Sequence, residues 1–150
     1  MMAVNIANAL AKNGVESHIC ATRQEGDLKT KIGSEVKYIF LNKKSASDLK
    51  ALKKLVHYIK SNEIKVIHAH ATSYFTAFLV KLGLPKVRIV WHDHYGNSEN
   101  LKARKKFPLT LVSKSFNTVI SVNDYLYQWA KLHLKAKHYT YLPNFASFNL

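Results

Sequence analysis

A chain of 150 residues, 47% of them hydrophobic and with only five Gly and three Pro, is one domain's worth of sequence with enough apolar material for a real core, which excludes a disordered or fibrous protein. A net charge of +14, from 23 Lys and Arg against 9 Asp and Glu, favours an anionic partner, whether nucleic acid, lipid headgroup or phosphorylated substrate. The single cysteine, Cys20, excludes an internal disulfide and fits a reducing compartment.

The chain opens on MMAVNIANALAKNG. It lacks a basic segment ahead of an unbroken apolar run, so it does not read as a signal peptide. Val4, Ala7, Leu10 and Ala11 fall at helical spacing over residues 3–13, and Gly14 is placed to end that helix. ESHICA (16–21) and KYIFL (37–41) read as strands, joined by a polar loop with one helical turn. SASDLKALKKLVHYIKSN is the clearest helix, with Ser47 or Asp48 as its cap. Leu49, Leu52, Leu55, Val56 and Ile59 make its apolar face, and Lys50, Lys53, Lys54, His57 and Lys60 line the other.

KVIHAH (65–70) is the next strand, followed by a helix through YFTAFLVKL that stops at Gly83. RIVWHDH (88–94) is a strand and YGNSEN a polar loop. Pro108 interrupts a basic stretch that includes KARKK (102–106), and LTLVSKSF is a short helix. TVISV (118–122) is a strand, Asn123 caps the helix DYLYQWAKLHL, and HYTYLPN (138–144) is the last strand. No apolar stretch approaches the roughly 18 residues needed to cross a bilayer. Short strands alternating with helices predict an α/β fold with a doubly wound, mainly parallel sheet, and strands apolar on both faces fit it. Such a sheet starts with a strand, yet this order starts with a helix. Both ends therefore look cut, with a first strand missing. Either strand exchange in a homodimer fills that gap, or the remaining strands pair directly.

Three stretches carry a family resemblance. MAVNIANALAKNGVESHICA is similar to the first helix and second strand of the N-terminal Rossmann-like domain of retaining GT-B glycosyltransferases, family 4 (group 1). IKVIHAHATSYFTAFL resembles that family's D-I-V-H-A-H strand and helix, and NTVISVNDYLYQWA…YTYLPNF its closing segment. The family's Gly-rich first loop has no counterpart, and Pro143-Asn144-Phe145 stands where the family has P-N-G. The resemblance implies half of a GT-B fold. Residues 1–145 would be the acceptor-side domain, 146–150 the start of an interdomain linker, and the donor domain with its E-x7-E motif lies outside the chain. The implied activity is transfer of a glycosyl group, with retention, from a nucleotide-sugar to a glycan or lipid-linked acceptor in cell-envelope polysaccharide assembly. The nucleotide-sugar is a co-substrate, and no cofactor is expected. The isolated chain would be inactive, located in the cytoplasm and peripheral to the inner face of the membrane.

Four of the eight histidines sit in two H-x-H pairs, His68/His70 and His92/His94, with Asp93 inside the second. Both pairs fall at carboxyl ends of predicted parallel strands, where ligands bind in such sheets. Residues two apart on a strand point the same way, so each pair presents both imidazoles to one side. The plainer reading makes His68 a buried strand residue satisfied by backbone. By resemblance, His94, with His92 second, faces the donor's sugar and phosphate as the catalytic position. A histidine there hydrogen-bonds a sugar hydroxyl or, as imidazolium, stabilises the departing diphosphate. His70, Ser73, Tyr74, Tyr95, Gly96, Asn97 and Asn123 are the expected substrate contacts, although Tyr74 and Tyr95 read equally well as core edges. A zinc site is disfavoured because the pairs lie on separate strands, and no metal ligand is expected. The lysine-rich faces suit an anionic membrane surface, and no nucleic-acid-binding pattern is present. Two rival functions stay open: a non-catalytic phosphosugar or nucleotide-binding module, and a zinc-dependent hydrolase.

Overall fold

The computed structural model describes residues 1–145. The linker expected over 146–150 lies outside the described residues. All six expected strands form and every strand pair is parallel, so the α/β, Rossmann-like reading holds. The strands are divided between two sheets. One has β1 (His18–Ala21) beside β2 (Lys37–Phe40). The other has the order β3 (Val66–His70), β4 (Arg88–Asp93), β5 (Thr118–Ser121), β6 (His138–Tyr141).

The described residues divide into two compact units, Met1–Lys54 with residues 144–145, and Leu55–Pro143. In the first, helix α1 (Met2–Lys12) buries Met2, Val4, Asn5 and Ala7. Leu10, expected on that face, is 42% exposed. The buried residues lie in the first two turns, and the helix ends in a turn at Gly14. There Gly14 takes φ +76°, and its N–H and that of Val15 bond the carbonyls of Ala11 and Leu10.

Helix α2 (Leu49–Ser61) is capped by Asp48 rather than Ser47. One Asp48 carboxylate oxygen accepts from Ala51 N–H at 3.0 Å and the other from Lys44 N–H at 2.9 Å. Its buried line is Ala51, Leu55 and Ile59, one residue every turn, with Leu52 and Val56 half-buried beside it. Leu49, expected on this face, is 70% exposed. It sits at the first helical position, two residues ahead of Ala51, where the buried stripe begins. Lys50, Lys53, Lys54, His57 and Lys60 are all exposed, as their spacing requires.

In the second unit, helices α3 (Tyr74–Gly83) and α5 (Asp124–His133) pack on the four-stranded sheet. Between them the chain forms the short helix α4 (Leu109–Val112), continued by a 3₁₀ turn at Ser113–Ser115. Strand alternation fills one sheet face with Ala69, Ile89, Trp91 and Val119, and these pack with Ala77, Val112, Phe116, Trp129 and Ala130 in one core. At roughly 25 cal/mol per Å² of apolar surface removed from water, this core is the main stabilising term of the unit. The opposite face carries the even-numbered residues of β3 and β4, and with them the histidines.

Candidate functional site

The register of β3 against β4 builds the site. Ala69 lies opposite Trp91 and His70 opposite His92. His68, His70, His92 and His94 therefore project to one face from adjacent strands. Their rings stack closely, with centroids 4.5 Å apart for His68–His70, 5.2 Å for His68–His92, 5.3 Å for His70–His94 and 4.1 Å for His92–His94. His68 Nε2 meets His92 Nδ1 at 3.2 Å, and His70 Nδ1 meets His94 Nε2 at 3.1 Å. His68 thus finds a partner in another imidazole, not the backbone carbonyl that the sequence suggested.

Burial sets the charge state. Desolvation holds the His68 imidazole down to about 4, with a smaller contribution from His94. His70 and His92 are each lowered to about 3, first by desolvation and then by neighbouring histidines. His94 is lowered as well, by burial, against the opposing pull of the adjacent Asp93 carboxylate. At neutral pH the cluster is a set of uncharged imidazoles. Each offers a lone pair and an N–H, so it can hydrogen-bond a hydroxyl or ligate an ion, but it does not act as an imidazolium.

His92 is fully buried, whereas His68, His70 and His94 are partly exposed. Of the two expected catalytic positions, His94 is therefore the one within reach of a ligand, and His92 backs it.

Asp93, between them, points to the other face of the sheet. Its two oxygens accept both arms of the Arg104 guanidinium, at 2.7 Å and 2.9 Å. Both partners are buried. The guanidinium carbon lies 4.1 Å from the Trp129 ring centroid, 4.5 Å from Tyr95 and 5.7 Å from Trp91, a cation–π setting that suits arginine's planar charge. Tyr95 N–H also donates to Asp93 at 3.2 Å. This anchor fixes the backbone on either side of His94. KARKK is therefore not uniformly a solvated basic run, since its central Arg104 is internal.

At the other strand end, the turn after His70 is tight. Ala71 takes φ +47°, and its carbonyl accepts the Trp91 indole N–H at 2.8 Å. A left-handed alanine is held there by the surrounding bonds. Ser73 follows in a half-buried 3₁₀ turn. Tyr74 packs edge-on against Trp91 and Phe116, at 5.9 Å and 6.3 Å, as a core-edge residue. Tyr95 is half-buried under Arg104, while Gly96 and Asn97 are exposed at the loop tip. Asn123 caps α5 through Leu126 N–H at 2.9 Å and donates to Ser98 Oγ at 3.1 Å, so it tethers that loop. The structure gathers His70, His92 and His94, adds His68, and leaves Ser73, Tyr74 and Asn123 as supports around them.

Arg104 is the residue that sequence reasoning missed. Its signal was Asp93 itself: a carboxylate on a strand that enters the sheet demands a cation, and the arginine among the lysines of KARKK could supply it.

A parallel α/β sheet with convergent polar groups at its carboxyl edge belongs to the architecture used by glycosyl-transferring domains. Residues 1–147 match the family model described as Glycosyltransferase Family 4, and the chain belongs to that family. It is a GT-B glycosyltransferase N-terminal domain, and so a transferase by kinship. No curated protein matches the chain. No helix among the described residues is long and apolar enough to cross a membrane.

Proposed function

We propose that this chain is the acceptor-side domain of a retaining glycosyltransferase. It would hold a glycan or lipid-linked acceptor for transfer from a nucleotide-sugar in cell-envelope polysaccharide assembly. The reading rests on one observation: His94, partly exposed, stands at the carboxyl edge of β4 on a backbone clamped by the Asp93–Arg104 pair. As a neutral imidazole it hydrogen-bonds a sugar hydroxyl or phosphate oxygen beside the reacting bond, while His92 behind it fixes the ring plane. His70 shares the edge, and Tyr95, Gly96 and Asn97 form the adjoining loop that would meet the acceptor. The exposed lysines of α2 and Lys102, Lys105 and Lys106 supply an attraction to an anionic membrane surface carrying a lipid-linked acceptor.

In this reading a nucleotide-sugar-binding domain follows the linker that starts at residue 146, and the downstream coding sequence is its direct check. At the protein level, saturation-transfer NMR of the chain against lipid-linked saccharides and against nucleotide-sugars is decisive. Saccharide binding that falls at least about tenfold in His94→Ala supports the proposal. Sub-millimolar nucleotide-sugar binding by the chain alone, with no saccharide binding, overturns it in favour of a free-standing nucleotide-binding module.

A further inference from the structure

The four clustered imidazoles carry eight ring nitrogens, and their mutual contacts employ four of them. His92 Nε2 is buried and, among the described residues, has no hydrogen-bond partner, an arrangement costly to keep unless something else uses the site. One ring nitrogen from each of His68, His70 and His92 lies within 4.8 Å of the other two. We propose that His68, His70 and His92 form a binding site for a single borderline divalent transition-metal ion, of the zinc, nickel or copper(II) class, with His94 at its open side.

Geometry and donor chemistry agree on this. Nitrogen ligands at about 2.0–2.1 Å around a four-coordinate ion stand about 3.3 Å from one another. Within the proposed set, His68 Nε2 and His92 Nδ1, 3.2 Å apart, are near that separation. The donors ride on two hydrogen-bonded strands with His70 directly opposite His92, so little ordering is left for the ion to impose. The sequence objection, that the pairs lie on separate strands, is removed by that register. The donor set is all nitrogen, because the one nearby carboxylate, Asp93, faces the other side of the sheet and is held by Arg104. Imidazoles without carboxylates suit zinc, nickel and copper(II) and do not suit magnesium or calcium. The partly exposed His70 and His94 give the ion an entry path. Bound there, it would lock β3 to β4. This inference stands apart from sugar transfer and is measured without any sugar.

The test uses the whole chain, stripped with a chelator and then titrated with zinc chloride by calorimetry and with cobalt(II) by visible absorption. The expected result is one ion per chain with a Kd below about 10 μM, a melting temperature raised by excess zinc, and the intense visible bands of four-coordinate cobalt. In His70→Ala, a half-buried position, binding should weaken at least about tenfold. Absence of stoichiometric binding overturns the site. So does a weak six-coordinate cobalt spectrum in the unmodified chain, a readout that needs no variant to fold. Binding that persists within about twofold in both His68→Ala and His70→Ala also overturns it, because the ion would then sit on surface groups such as His57 or His138.

Discussion

The two faces of β4 divide two tasks between adjacent residues. Trp91 and Asp93 point into the packed core, where the indole N–H meets the Ala71 carbonyl and the carboxylate is held by Arg104 and the Tyr95 N–H. His92 and His94 point the other way, into a cluster in which half of the ring nitrogens meet one another. The first face holds its polar groups in named pairs, and the second is a neutral cluster that leaves the buried His92 Nε2 without a partner among the described residues. Rigidity is built on one side of a strand so that reactivity can stand on the other.

The sharpest way to break that division is to cut the anchor. Arg104→Met leaves Asp93 buried without its cation and should destabilise the chain by about 3–5 kcal/mol, read as a shift of the urea midpoint. The paired variant Asp93→Leu with Arg104→Met removes the stranded charge and should recover part of the loss. If the single and double variants are equally unstable, packing rather than charge is the anchor's contribution. Trp91→Phe keeps most of the ring but deletes the bond to Ala71, a smaller expected cost of about 1–2 kcal/mol, measured the same way.

Acid probes the histidine face. His68, His70 and His92 have folded-state values pushed below the ordinary histidine value of 6.5, to about 4, 3 and 3. Between 6.5 and those values the unfolded chain binds more protons than the folded one. Their contribution is therefore intact above pH 6.5 and is lost as the pH falls through 6 towards 4. With chelator present, the melting temperature should drop by about 5 °C or more between pH 7 and pH 5. His68→Phe should flatten that slope, and an unchanged slope would mean that the cluster is already open to solvent. The smallest effect belongs to His94→Gln. It is partly exposed and outside the core, so it should shift stability by less than about 1 kcal/mol while depressing saccharide binding.

Much of this was legible beforehand, for local reasons. β-Branched runs such as RIVW and TVIS specify strands from their own composition, and Asp48 and Asn123 cap helices through bonds to N–H groups three residues on. What stayed hidden was non-local. Nothing within VIHAH or VWHDH fixes their register, so four imidazoles looked like two separate pairs. Arg104 lies eleven residues beyond Asp93 in a lysine-rich loop, where composition argues for solvent. His92 and His94 look alike in sequence, yet only the strand's passage into the sheet buries the first. Leu10 and Leu49 failed in the same way, since periodicity gives a face but not where along the helix its cover begins and ends.

The Arg104 guanidinium has a practical consequence. The chain has two tryptophans, and both rings lie beside this one cation. Tryptophan emission, excited at wavelengths that tyrosine does not absorb, is thus a gauge of the buried anchor. A titration that changes its colour or intensity reports on the ground directly beneath His94, with no label attached.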